Sequence, residues 1–357
     1  MKEKVNLLWL SWHPTHYNDY LFDAVEQSNE FNLRVFYLAG QLSSHPWSEK
    51  GNYKYQYTRM KGSGLLKYYR SVLFSQGIFL IAGWNNYHHI FSIFLLSILK
   101  RKFIIWTDTP QVDIKRTFFK RIFRKALLGI IFKNAKYLFT TGKIGIKNFK
   151  KNGAPKSKLI NFPFATDTNF FTKGGSIHKH IFVTSGRLDI SNKRQDLSIQ
   201  SIRKLKELGF DVQLKIAGEG RDKQLLMDLV KQLDLQDCVE FSGWLQLDEL
   251  AKFYHKSRYF LHTAAYDPFP NAVLEALSCG LPVVGSDTSG SVVDRVVPGK
   301  NGYIFKTNDL DDLVEKMTLI IQNKNYEKLV ENARESAISN NVEKNIKTLL
   351  AIKNELY

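Results

Sequence analysis

A chain of 357 residues exceeds the size at which one hydrophobic core usually stops growing, so two domains are expected. Apolar residues at 44% and charged residues at 24% exclude disorder and collagen-like repeats, and two cysteines, Cys238 and Cys279, exclude a disulfide framework and indicate a reducing compartment. The net charge of +17 sits in one half: residues 1–175 hold 27 Lys and Arg against 9 Asp and Glu, the remainder 24 against 25. Within 100–158, 17 basic residues face only Asp108 and Asp113, which points to a polyanion or an anionic membrane surface.

The opening MKEKVNLLWLSWHP lacks the long apolar core and small-residue end of a secretory leader. The runs Ile78–Ala82 and Ile90–Leu99 fall well short of the about 20 residues that span a bilayer. The expected location is cytoplasmic, with any membrane contact peripheral and at the inner face.

Short β-branched or aromatic runs alternate with longer amphipathic ones, the mark of βα units around a parallel sheet. Strands are predicted near 5–10, 32–38, 78–82, 103–106, 136–140 and 158–161, with the clearest helix at 115–134. A second series has strands near 180–185, 212–217, 238–241, 259–262, 282–284 and 303–305. Helices near 193–208, 221–234, 247–256, 270–279, 291–296 and 309–322 separate them. Residues 165–179, with Gly174-Gly175, read as a linker. The fold class is therefore α/β, with two doubly wound, Rossmann-like domains facing across a cleft: 1–164 and 180–338. Residues 339–357 form a last helix, expected to return to the first domain.

Open parallel sheets bind ligands at the carboxyl ends of their strands. In the first half those loops, Ser11–His16, Gly83–His89 and Thr107–Asp113, are rich in aromatics, His and Asn. In the second, Ser185–Lys193, Gly218–Arg221, Thr263–Asn271 and Gly285–Ser291 are rich in Gly, Ser and charge. Gly186 lets backbone approach a phosphate, while Arg187, Lys193 and Arg194 supply cations without a metal. A glycine turn before a solvated basic helix would look the same. Gly218-Glu219-Gly220 is by itself only a turn.

The segment Tyr266–Val284 is richer. Asp267-Pro268-Phe269-Pro270-Asn271 leaves a strand, and the helix starting near Pro270 offers free N–H groups and its dipole to an anion. Glu275 lies about one turn into that helix, within the apolar frame Val273-Leu274-Ala276-Leu277, which argues against simple solvation. Two carboxylates flanking such a helix start suit sugar hydroxyls on one side and a ribose on the other.

From Phe182 to Phe305 the chain resembles the donor domain of family 4 glycosyltransferases with the GT-B fold, a retaining group that includes bacterial enzymes of surface polysaccharide and lipid-linked glycan assembly. The matching pieces are Gly186-Arg187-Leu188 with Lys193-Arg194-Gln195-Asp196, Leu214–Gly220, Val239–Trp244, the Asp267–Glu275 segment with Gly280–Val284, and Gly299-Lys300-Asn301-Gly302. About a third of the chain is covered closely. The first half matches in outline, at Arg124, Asn134-Ala135-Lys136, Gly153-Ala154-Pro155 and Asn161–Phe164.

The resemblance implies a hexosyltransferase that moves a hexose-type sugar from a UDP- or GDP-sugar, with no cofactor and no metal. Residues 1–164 would bind the acceptor and 180–338 the donor. Arg187 and Lys193, or Arg194 in a loop one residue longer than usual, would bind the diphosphate. Glu275 would hold the ribose, and Asp267 would take the first position of the family's E-x7-E pair against the transferred sugar. Backbone N–H groups of Phe269, Asn271 and Ala272 would cradle phosphate and sugar. Gly218, Glu219, Gly243 and Trp244 would line the nucleotide pocket. Asp replaces the usual Glu at 267, and Pro268 stands where Gly is common. The one D-x-D, Asp309-Leu310-Asp311, reads as a capped helix start.

On the acceptor side, His13, His16, Asp19, Trp84, His88 and Asp108 lie in or beside carboxyl-end loops. Asp108 falls where relatives carry an acceptor-side His, so it is the first candidate to orient the hydroxyl, although an Asx turn before Pro110 would use the same residue. The pair His88-His89 also suits local packing. The run Lys115–Lys133 reads as a cationic amphipathic helix, with Phe119, Ile122, Phe123, Ala126 and Ile130 as an apolar stripe covering the sheet. Its surplus charge suits anionic lipid and would bring a lipid-linked glycan acceptor within reach. Two alternatives are a GT-B-like nucleotide-sugar epimerase and a nucleic-acid-binding protein using the basic half. The second leaves the motifs after residue 180 without work.

Overall fold

The computed structural model describes residues 4–39, 53–108, 110, 117–172 and 179–357. Thr109, residues 111–116 of the basic segment and Gly174-Gly175 of the linker lie outside the described residues. Two compact units result: Met1–Ala165 with Val342–Tyr357, and Thr166–Asn341.

The first unit is a seven-stranded parallel sheet of β1 (Val5–Ser11), β2 (Phe31–Tyr37), β3 (Gln56–Arg59), β4 (Ile78–Ala82), β5 (Phe103–Thr107), β6 (Tyr137–Thr140) and β7 (Leu159–Asn161). The spatial order is β3-β2-β1-β4-β5-β6-β7. Helices α1 (His16–Gln27), α2 (Ser63–Phe74), α3 (Tyr87–Ile98), α4 (Phe118–Asn134) and α5 (Gly142–Lys151) connect the strands. The pleat sends alternate side chains to opposite faces. Leu7 and Trp9 join a core with Leu21, Phe22 and Val25 of α1, whereas Leu8 and Leu10 join one with Tyr68, Ile93 and Leu127 of α2, α3 and α4. Both faces are thus covered, which explains strands that are apolar throughout.

The second unit is a six-stranded parallel sheet of β8 (His180–Ser185), β9 (Val212–Ala217), β10 (Val239–Gly243), β11 (Tyr259–His262), β12 (Val283–Ser286) and β13 (Gly302–Phe305), in the order β10-β9-β8-β11-β12-β13. Its helices are α6 (Ile190–Lys193), α7 (Gln195–Glu207), α8 (Lys223–Gln232), α9 (Leu247–His255), α10 (Asn271–Ser278), α11 (Gly290–Arg295), α12 (Leu310–Ile321) and α13 (Tyr326–Ile338). The last helix, α14 (Val342–Leu356), belongs to the first unit. There Lys353 Nζ donates to Glu30 Oε2 at 2.5 Å and Asn345 Nδ2 to the Pro163 carbonyl at 2.8 Å.

Three details depart from the sequence reading. Strand β3 was not anticipated: it is a four-residue edge strand, mostly exposed, without the apolar run that marks its neighbours. The helix read as 193–208 is two helices, because Arg194 adopts the left-handed conformation at φ +52° and breaks it. In α4 the stripe assigned to the sheet is wrong. Leu127, Leu128 and Ile131 are buried, whereas Phe119, Ile122 and Phe123 are exposed, Phe119 at 81%. Apolarity at helical spacing marks a face but not which surface that face meets.

Candidate active site

In the second unit the carboxyl-end loops of β8, β9, β10 and β11 are knitted by their own backbones. Gly186 N donates to the Ala217 carbonyl at 3.0 Å, Leu188 N to that of Glu219 at 3.0 Å, and Gly218 N to that of Gly243 at 2.7 Å. A Cβ on Gly218 would lie 1.9 Å from the Gly186 oxygen, so the glycines set how closely these loops approach. Beside them Lys223 Nζ is 2.7 Å from Glu219 Oε1, and a Cβ on Gly243 would lie 3.3 Å from that same oxygen.

The break at Arg194 sends its two neighbouring cations in different directions. Lys193 Nζ donates to Asp267 Oδ2, and Thr263 Oγ1 donates to the Lys193 and Arg194 carbonyls at 3.1 and 2.8 Å. Arg194 instead clamps Asp196 through Nε and Nη2 and reaches Asn308. Arg187 is exposed and, among the described residues, makes no ion pair. The left-handed turn at Arg194 thus sends Lys193 to Asp267 and Arg194 to Asp196.

Asp267 is buried, and His262 Nε2 lies 3.3 Å from its Oδ2. Burial alone would raise its carboxyl, but Lys193 and His262 outweigh burial and hold it at about 2. Glu275, the fifth residue of α10, is also buried and accepts from the Tyr254 hydroxyl at 3.2 Å. That hydroxyl is also 2.7 Å from Ser185 Oγ. Helix α10 has no side-chain cap at Pro270, so its first N–H groups, at Asn271 and Ala272, gain no partner from the cap. Phe269 is buried, with the Arg295 guanidinium 4.6 Å from its ring centre. Asn271 Oδ1, Ser289 Oγ and Gln195 Oε1 are buried without a hydrogen-bond partner among the described residues. Buried polar atoms are rarely left so, and three around one set of loops fit a polar ligand.

His262 and Tyr254 were missed by sequence reasoning. His262 closes β11 one residue before a loop that was singled out, so its position was a usable signal. Tyr254 comes from the last turn of α9 and carried none. Among the described residues no group of three His, Cys, Asp or Glu is placed to hold a metal ion.

In the first unit the acceptor candidates stand at the ends of β1, β4 and β5. His13 Nδ1 is 2.9 Å from the Pro14 carbonyl, and His88 Nδ1 is 2.9 Å from the Tyr69 hydroxyl. Trp84 packs edge-on to Phe149 at 6.1 Å. Asp108 is exposed, and its carbonyl accepts from Thr140 Oγ1 at 2.9 Å. Tyr17, one residue past His16, is pushed up to about 12 by burial and then by the Asp108 charge, so these two groups are neighbours. Asp19 accepts from the Tyr55 and Tyr37 hydroxyls at 2.6 and 3.3 Å, and burial raises it to about 6.

Residues 167–336, the second unit almost to its limits, match the family Glycosyl transferases group 1. The second unit is thus similar to that family over almost its whole length. Among related sequences, an uncharacterized glycosyltransferase of Haemophilus influenzae is 30% identical over 113 residues, 32% of this chain and 31% of that one. The Campylobacter jejuni N-acetylgalactosamine-N,N'-diacetylbacillosaminyl-diphospho-undecaprenol 4-alpha-N-acetylgalactosaminyltransferase is 22% identical over 229 residues, 63% of this chain and 61% of that one. The chain thus spans less than two thirds of the length of these relatives. The crystal structure of HepE from Anabaena in complex with UDP superposes with a TM-score of 0.79 at 15% identity, covering 99% of this chain and 100% of that one. Sucrose-phosphate synthase from Thermosynechococcus elongatus gives 0.75 at 16% identity, covering 99% of each. These likenesses show the fold, which is GT-B.

Proposed function

We propose that the protein is a retaining glycosyltransferase that moves a hexose-type sugar from a nucleotide-sugar to a glycan acceptor carried on lipid. The observation that carries this reading is the buried Asp267 carboxylate, held ionised by Lys193 and His262 beside the uncapped start of α10. A UDP-sugar is favoured over a GDP-sugar because HepE was solved with UDP. A lipid-carried acceptor is favoured because the Campylobacter jejuni relative is named for a diphospho-undecaprenol substrate.

In this reading the diphosphate lies against the N–H groups of Asn271 and Ala272, with Arg187 and Lys193 as its cations. As the bond from the anomeric carbon to the phosphate oxygen breaks, charge grows on the diphosphate, where the cations and helix dipole stabilise it. The acceptor oxygen bonds to the same face of the anomeric carbon, and its proton passes to the departing phosphate oxygen. Asp267 holds a sugar hydroxyl, and Glu275, oriented by Tyr254, holds the ribose. Asp108 orients the acceptor hydroxyl, with His13, His16, Trp84 and His88 lining its approach. The site lies on the cytoplasmic side, with the basic segment 100–158 drawn to anionic lipid.

The test is thermal-shift titration with UDP, GDP and ADP and their sugars, repeated on Glu275→Ala. A ligand that binds only the folded state raises its melting temperature. A shift with one nucleotide, lost in the variant, supports the reading; no shift with any of them refutes it.

A further inference from the structure

Helix α3 is apolar on two sides. Its sequence, YHHIFSIFLLSI, holds no Asp, Glu, Lys or Arg. His89, Ile93 and Leu96 are buried, and the Ile93 and Leu96 side belongs to the sheet-facing core. Tyr87, Phe91, Phe94 and Ile98, spaced by four, three and four residues, form a second stripe that is exposed, Phe91 at 55% and Ile98 at 76%. A helix apolar all round is normally buried on every side. Among the described residues, this one is covered on one side only.

Its neighbours continue the surface. Helices α2 and α4 each pack against α3, and the Tyr69 and Phe91 rings meet at 5.4 Å. Phe74 at the end of α2 is 75% exposed, and Phe119 and Phe123 of α4 are exposed beside Lys120, Arg121 and Lys125. No Asp or Glu occurs anywhere between Glu49 and Asp108 or within α4. Among the described residues, an apolar surface spread over three helices that together carry Lys and Arg but no Asp or Glu is complementary to an anionic lipid surface in both charge and polarity.

We infer that α2, α3 and α4 form one membrane-inserting face, in which the α3 stripe and the α4 phenylalanines enter the lipid interface and the surrounding Lys and Arg bind lipid phosphates. Attachment is therefore more than electrostatic attraction to the basic segment. The inference rests on the proposed function only for why a membrane is needed, since the surface stands on its own residues.

The experiment is co-sedimentation of the full chain with vesicles of phosphatidylglycerol and phosphatidylcholine in equal parts, at low salt and at about 0.5 M NaCl, where exposed charges are largely screened. The protein should sediment with these vesicles and keep much of that binding at high salt. Phe91→Ser with Ile98→Ser should weaken the high-salt binding at least about tenfold. Lys120→Gln with Arg121→Gln should weaken chiefly the low-salt binding. Three results overturn the inference: no sedimentation at either salt, high-salt binding unchanged by the serine pair, or self-association that the serine pair abolishes without vesicle binding, which makes the face an interface between copies. The melting temperature of each variant with and without UDP is measured in parallel. Vesicle binding without a UDP shift refutes the transferase reading and keeps the membrane face; a UDP shift without vesicle binding does the reverse.

Discussion

Lys193 and Asp267 stand 74 residues apart in sequence, and the structure joins them as a hydrogen-bonded ion pair at the carboxyl-end loops of the second unit. The pair couples the β8 loop to the start of α10. Asp267→Asn keeps the shape but removes the charge that faces Lys193. In the proposed mechanism it should lower kcat about 10²-fold while changing UDP affinity less than threefold, a loss of ~2.7 kcal/mol of transition-state stabilisation. Steady-state kinetics with UDP binding by calorimetry checks this.

The same carboxylate has a pH signature. Its folded value of about 2 lies below its ordinary 3.8, so the folded state favours the ionised form. The resulting stability is fully present above about pH 4 and is lost as pH falls towards 2. Urea unfolding of the protein and of Asp267→Asn should therefore show a constant difference from pH 5 to about pH 8 that closes on acidification.

Arg187 and Arg194 should separate cleanly. Arg187 is exposed with no ion pair among the described residues, whereas Arg194 is committed to Asp196 and Asn308. Arg187→Ala should weaken UDP binding about tenfold, as expected for a lost charge-assisted hydrogen bond, and leave stability unchanged. Arg194→Ala should cost about 1 kcal/mol of stability with little effect on the nucleotide. Thermal melts with and without UDP distinguish the two.

Gly218→Ala would place a methyl 1.9 Å from the Gly186 oxygen at a residue whose φ is +136°. Steric overlap and backbone strain should together destabilise the second unit by about 2–4 kcal/mol. Gly186→Ala is strained at φ +142° but meets no atom within 4 Å, so its cost should be smaller. Denaturant unfolding of both variants gives the comparison.

Asp19 titrates in the opposite sense from Asp267. Burial raises it from 3.8 to about 6, so the folded state favours the protonated form. Stability from that proton is present below about pH 4 and is lost as pH rises through 6. Asp19→Asn, which carries no charge to bury, should raise the melting temperature relative to the unaltered protein at pH 7.5 and lose that advantage near pH 4.

The second unit was legible strand by strand. Parallel strands covered on both faces are continuous apolar runs bounded by turn residues, as in Phe182–Thr184 and Val283–Val284. Strand β3 was not, because an edge strand needs no such run. The helix start at Asn271 and the buried Glu275 could be read from local spacing, since both belong to one turn-and-helix segment. Tyr254 could not, because its meeting with Glu275 and Ser185 depends on how α9 packs against the sheet.

By itself the sequence determined the alternation of strands and helices, the charge asymmetry between halves, and the cluster of Gly, Arg, Lys and carboxylate residues in the second. These are local properties of period, composition and spacing. Only the tertiary structure decided that Lys193 and not Arg194 meets Asp267, because the left-handed turn at Arg194 aims the two side chains apart. It likewise decided that Phe119, Ile122 and Phe123 of α4 and one side of α3 face outward. Helical spacing places residues on a common face, but only the packing of neighbouring elements determines whether that face meets a sheet or solvent.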